Sequence, residues 1–198
     1  MEMVNGGELF DQIIKLTYLS EELSRHVICQ VAEGIRFMHT ECGIVHRDIK
    51  PENILIGYNH ELKISDFGWS VHAPSSKRKT LCGTIDYLPP EMLNNQLYDQ
   101  NVDLWCLGVL IYEFLCGKPP FESADTVTTC QKIKAVEFEY PDHVSPEARD
   151  FISKLLVFTP SQRMPLAVAR GHPFITKHNS NNNGSNDNIT TTTTTTSN

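Results

Sequence analysis

What this sequence lacks excludes several classes before any motif is considered. No apolar run approaches the roughly 20 residues that a membrane-spanning helix needs, and no signal-peptide pattern opens the chain. The cysteines, Cys29, Cys42, Cys82, Cys106, Cys116 and Cys130, include no CxxC pair and no metal-ligand spacing, so they are read as free thiols of an intracellular protein. A basic excess is also missing. The formal net charge of −7 argues against a nucleic-acid or anionic-membrane partner. No internal repeat is found. What remains is 198 residues at 40% hydrophobic content, enough for one substantial domain with its own core.

That domain is expected to end near Lys177. Residues 178–198 change to Asn, Ser, Gly and a threonine run, a composition that cannot bury a core and is expected to be disordered. Earlier in the chain, the stretch from Glu8 to Leu16 suits a short helix. Ser20 is placed as the N-cap of a longer helix, with Leu23, Val27, Ile28, Val31, Ile35, Phe37 and Met38 at helical spacing. The segment from Tyr98 to Gly117 is apolar nearly all round, which marks a buried helix stopped by Gly117 and the following prolines. Two amphipathic helices are predicted over Ser123 to Val136 and Ser145 to Val157.

The chemistry concentrates between Ile44 and Gly68, reading IVHRDIKPENILIGYNHELKISDFG. Ile54–Ile56 and Leu62–Ile64 are β-prone runs joined by a Gly-Tyr-Asn-His turn composition. A hairpin there would bring Asn53, just before its first strand, close to Asp66, just after its second. Two oxygen side chains would then converge where a hard divalent cation such as Mg²⁺ sits beside phosphate. Asp48 could face the same cavity as a general base, with Lys50 beside it for phosphate charge.

These residues resemble the catalytic and metal-binding loops of a protein kinase. The HRD-x-K-x-x-N pattern stands as His46-Arg47-Asp48-Ile49-Lys50-Pro51-Glu52-Asn53, and DFG as Asp66-Phe67-Gly68. The fold this implies is mainly α with short β-hairpins, a kinase-like large (C-terminal) lobe over residues 1–177. The resemblance makes Asp48 and Lys50 catalytic, assigns Mg²⁺ to Asn53 and Asp66, and places Glu2, Val4, Glu8, Lys50, Glu52, Asn53, Leu55 and Asp66 around ATP. Met1 to Phe10 resembles the hinge between the two kinase lobes. The parts a kinase places before it, a GxGxxG loop, a VAIK-type lysine and its partner glutamate, do not occur in these 198 residues, so the small lobe is expected to be absent.

From Asp66 to Pro120 the detail is finer. DFGWSVHAPSS, a basic triplet, TLCGTIDYLPPEM and VDLWCLGVL closely resemble the Aurora family of serine/threonine kinases. The opening segment GGELFDQIIKLTYLSEELSRHVICQVAEGI is similar instead to the calcium/calmodulin-dependent kinase group. The Aurora resemblance implies that Thr80 is the activating phosphothreonine and that Arg47 pairs with its phosphate. It further implies that Thr84 shapes the substrate pocket. Structural roles are implied for Asp103, which holds the catalytic-loop backbone, and for a Glu91–Arg163 ion pair. Expected partners are protein substrates with basic residues before the serine or threonine, and an activating partner. Nucleus, spindle and cytoplasm are the implied locations. Two function classes follow: an Aurora-like kinase using ATP and Mg²⁺, or a catalytically inactive kinase-derived fragment or binding module.

Overall fold

The computed structural model describes residue 4, residues 6–72 and residues 84–177. The expectations for Glu2, Thr80, Cys82 and the 178–198 tail fall outside them. Among the described residues the architecture is mostly helical with short strands, as the sequence suggests. Helix α1 (Leu9–Leu16) is followed by α2 (Glu21–Thr40), whose N-cap Ser20 accepts the Leu23 N–H at 3.2 Å. Strand β1 (Ile44–Val45) then leads into the hairpin of β2 (Ile54–Ile56) and β3 (Leu62–Ile64). Its register pairs Ile54 with Ile64 and Ile56 with Leu62, which sets the ends of both strands side by side. Strand β4 (Val71–His72) pairs with β1, a second antiparallel contact that two-residue strands leave no periodicity to reveal.

Helices α3 (Pro90–Leu93), α4 (Asn101–Cys116), α5 (Thr126–Ala135), α6 (Pro146–Leu155), α7 (Leu166–Ala169) and α8 (Pro173–Thr176) complete the described chain. Helix α4 is the axis of the core. All its residues from Val102 to Leu115 are buried, with Trp105, Leu107, Val109, Leu110, Ile111 and Phe114 fully enclosed. Gly117 ends it in the left-handed region at φ 77°, and a Cβ there would lie 2.2 Å from the Thr17 carbonyl oxygen. On another side Gly108 lets α6 approach, since a Cβ would meet the Leu155 Cβ at 2.9 Å.

Two sequence expectations need correction. Helix α5 begins at Thr126 instead of Ser123, because the Asp125 side chain caps it by accepting the Thr128 N–H at 2.9 Å. Ser123 instead donates its hydroxyl to the Phe121 carbonyl. Phe37 and Leu23 also leave the buried stripe of α2, at 54% and 41% exposed. Their positions lie off the line through Val27, Ile28, Val31 and Ile35, which carries the packing.

Beneath the fold, Arg163 grips Glu91 through two parallel hydrogen bonds of 2.7 Å each. Both side chains are almost fully buried, and the Arg163 guanidinium also lies over the Trp105 ring, 5.1 Å from its centroid. A planar fork held on both sides cannot re-solvate when its partner is lost. Glu91→Ala is therefore expected to lower stability by about 3–5 kcal/mol in urea unfolding, and the double variant Glu91→Leu/Arg163→Met by clearly less. A loss below 1 kcal/mol for the single variant would show that the pair is not the anchor described.

Candidate active site

The loop between β1 and β2 carries most of the chemistry, and its shape is imposed from below. Arg47 has φ 74°, a left-handed conformation uncommon for a residue with a Cβ. Asp103, on the first turn of α4 and fully buried, holds that backbone in place. Its Oδ1 accepts the Arg47 N–H at 2.7 Å and its Oδ2 accepts the His46 N–H at 2.9 Å. The His46 ring is fixed as well: Nδ1 accepts the Asp48 N–H at 3.3 Å, so Nε2 is the donor to the Ser65 carbonyl at 3.0 Å. Phe67 packs edge-on against the same ring at 5.0 Å.

Asp48 follows the strained residue and is 3% exposed. Its Oδ1 accepts the Thr84 N–H at 3.2 Å, and its Oδ2 accepts the Asn53 amide at 3.0 Å. Lys50 Nζ lies 3.3 Å from Oδ2 and donates to the Thr84 hydroxyl at 2.8 Å. One carboxylate is thus aimed by a backbone donor, an amide and an ammonium. Asn53 directs its NH₂ at the Asp48 carboxylate and carbonyl, which leaves its own oxygen as the group's remaining ligand atom.

The hairpin register then brings the second oxygen donor across. Ser65 binds the Asn53 carbonyl through its N–H at 2.8 Å and its hydroxyl at 3.1 Å. Asp66, next in the chain, stands exposed in the left-handed conformation with its Oδ1 accepting the Gly68 N–H at 3.2 Å. An amide oxygen and an exposed carboxylate on adjoining strand ends form an oxygen-only donor set, which fits a hard cation sharing its shell with phosphate and water. Among the described residues no group of three or more His, Cys, Asp or Glu could hold a metal.

The other sequence candidates distribute around this centre. Residues 6–8 run beside β2: the Gly6 N–H donates to Ile56 at 2.9 Å, and Glu8 bridges Leu55. Glu8 is exposed, while Val4, Glu52 and Leu55 are half-buried. The Arg47 guanidinium donates to the Trp69 carbonyl at 2.6 Å and the Tyr98 hydroxyl at 2.9 Å. Sequence reasoning passed over Ser65, Tyr98 and His39, whose Nε2 lies 2.7 Å from Asp103 Oδ2. Their partners lie far off in the chain, and no local pattern signals such a contact.

A second carboxylate group sits to one side. Glu113 of α4 is 8% exposed and accepts the Tyr87 hydroxyl. Burial pushes its pKa up to about 7, against the opposing pull of the Tyr87 hydrogen bond, with the charges of Glu52, Asp86 and Glu122 adding to the rise. Burial and Glu122 likewise raise Asp86. A folded-state value above the ordinary 4.5 means that the folded protein holds the extra proton between the two. The associated stability is complete below about pH 4.5 and is lost as pH rises through 7, an effect of about 3 kcal/mol. Glu113→Gln, which keeps an oxygen for Tyr87, is expected to flatten that decline. Urea unfolding at about pH 5 and pH 8 checks it, and an unchanged pH difference would place the Glu113 titration elsewhere.

Comparison with known proteins agrees with this geometry. The chain is 54% identical over 179 residues to Aurora kinase A-A of Xenopus laevis, covering 90% of this chain and 44% of that protein. It is 48% identical to Aurora kinase C of Mus musculus, covering 90% and 64%, and 49% identical to Aurora/IPL1-related protein kinase 2 of Caenorhabditis briggsae, covering 89% and 58%. The chain therefore spans about half the length of the curated relatives it matches. Residues 1–175 match the protein kinase domain family. With the HRD, DFG and asparagine positions gathered as described, the chain belongs to the protein kinase domain family and is Aurora-like within it.

Proposed function

We propose that residues 1–177 act as the large lobe of an Aurora-like serine/threonine kinase, which transfers the γ-phosphate of ATP to protein hydroxyls. The observation that carries this reading is the Asp48 carboxylate, buried yet held in one orientation by Thr84, Asn53 and Lys50. Asp48 accepts or orients the proton of the incoming hydroxyl. Lys50, tethered to Thr84, neutralises charge on the moving phosphoryl group. Asn53 and Asp66 would supply oxygen ligands for Mg²⁺. Bound Mg²⁺–ATP contributes the transferable phosphoryl group and the main positive charge that offsets it. Rate then comes from positioning and electrostatics. Val4, Glu8 and Leu55 are assigned to the adenine and ribose side.

Substrates are proposed to carry basic residues before the acceptor. The support is the carboxylate group of Glu52, Asp86, Glu113 and Glu122, whose mutual repulsion a cationic side chain would relieve. Phosphate on Thr80 is proposed to pair with Arg47, and nucleus and spindle are proposed as locations by similarity to the Aurora kinases. No helix among the described residues is long and apolar enough to cross a membrane. A second reading is a catalytically inactive kinase-derived binding module.

The test is radiolabelled phosphate transfer from Mg-ATP to a basic serine peptide, by this chain alone and joined to a lobe bearing the glycine loop and lysine. Transfer by the joined form is expected to fall about 100-fold or more in Asp48→Asn and in Asp66→Asn. Transfer no greater than that of the variants, from a folded chain that still binds the peptide, would favour the binding module. Replacing the basic residues of the peptide by alanine is expected to raise KM about tenfold with little change in kcat. An unchanged KM would remove the basic-substrate assignment.

A further inference from the structure

We propose that Ser65 is a positioning residue for the metal, its hydroxyl clamping the Asn53 backbone to the strand end that presents Asp66. The inference rests on the kinase reading above for the metal and on the structure for its geometry. Ser65 lies 12 residues after Asn53, yet its N–H and its hydroxyl both donate to the Asn53 carbonyl, at 2.8 and 3.1 Å. Together they occupy both lone pairs of that oxygen. The Ser65 carbonyl in turn accepts from His46 Nε2 at 3.0 Å. All three polar groups of one residue are thus spent on the two loops of the site.

The hairpin needs a clamp at this point because its ladder stops here. Ile54 and Ile64 are the last paired residues on this side of the β2–β3 register. Two residues beyond Ile64, Asp66 turns into the left-handed region at φ 57° and stands exposed. The chain leaves the strand at that turn, so Ser65 is the last residue placed to hold the two strand ends together. A strand end opens more readily than its centre, and one N–H bond at its margin is a weak closure. The hydroxyl adds a second donor to the same carbonyl and keeps the junction shut when the first bond lengthens.

The consequence falls on the spacing of the two oxygen ligands. The Asn53 amide is aligned from the catalytic loop, since its NH₂ donates to the Asp48 carbonyl and carboxylate at 2.9 and 3.0 Å. The Asp66 carboxylate is held only within its own turn, where Oδ1 accepts the Gly68 N–H at 3.2 Å. Its place relative to Asn53 is therefore set by the backbone junction at Ser65. Mg²⁺ demands a nearly ideal arrangement of oxygens, so a junction that opens by a fraction of an ångström weakens the site. Residues that orient metal ligands without touching the metal change its affinity about 10- to 100-fold.

The experiment titrates Mn²⁺, a paramagnetic substitute for Mg²⁺, into the 198-residue chain and its Ser65→Ala and Ser65→Thr variants. The readout is NMR broadening of the Asn53 side-chain amide and the Gly68 N–H. Ser65→Ala is expected to need about tenfold more Mn²⁺ for the same broadening. Ser65→Thr, which keeps the hydroxyl, is expected to stay within about twofold of the wild type. Amide exchange at Val109 and Leu110 of α4 should be equal in all three, which separates positioning from general destabilisation. Equal Mn²⁺ requirements would overturn the proposal. So would a threonine variant no better than alanine, or faster α4 exchange in Ser65→Ala. A wild-type chain whose two resonances stay sharp would remove the metal assignment, and the proposal with it. In the joined form of the transfer assay, Ser65→Ala is expected to raise the Mg²⁺ needed for half-maximal transfer about tenfold, with peptide KM held within about twofold. An unchanged Mg²⁺ requirement there would also overturn the proposal. If the wild-type joined form transfers nothing, the kinase reading fails, and the Mn²⁺ titration still decides whether Ser65 sets the ligand spacing.

Discussion

Everything at the site hangs on a carboxylate that touches no substrate. Asp103 replaces lost hydration with hydrogen bonds from His46, Arg47 and His39, and in doing so holds a backbone conformation that the loop sequence does not prefer. A buried charge of this kind tolerates few positions. It works only because α4 is fixed by close packing along its whole length, with Trp105 stacked on Phe121 and Gly108 pressed against α6. Apolar burial thus fixes the helix, the helix places the carboxylate, and the carboxylate shapes the loop. Asp48 inherits its direction from that chain of causes.

The two sets of carboxylates near the loop behave oppositely for reasons visible in their partners. Asp48 is surrounded by donors: an amide, a backbone N–H and an ammonium. Among the described residues Glu113 accepts a hydrogen bond from the Tyr87 phenol, with three other acids within range of its charge. One site holds its carboxylate among donors, while in the other burial and neighbouring acids favour the protonated form of Glu113.

Legibility in the sequence followed the range of the interactions. Ser20, Gly117 and the β2–β3 hairpin announced themselves because a cap, a left-handed stop and a turn are decided by neighbours within a few residues. The HRD and DFG stretches were legible as dense motifs, and the hairpin between them explains why Asn53 and Asp66 come to adjoin. The start of α5 was misplaced because Ser123 and Asp125 are both credible caps, and only the folded chain shows which side chain meets Thr128. His39, Tyr98 and the β1–β4 pair were illegible for a different reason. Each depends on where another element is docked, which no local pattern encodes.

One modest contact carries a consequence for how the chain reaches this state. Glu21, in the first turn of α2, accepts from both the N–H and the hydroxyl of Ser145, the N-cap of α6, at 2.8 and 3.0 Å across 124 residues of chain. It links the amino end of one core helix to the amino end of another. Such a closure gains nothing until the intervening chain has collapsed, so its entropy must be overcome before the bond contributes. The helix that presents His39 and the helix that flanks α4 are consequently joined late. On the time axis of folding, the catalytic loop should be among the last regions to acquire its final shape.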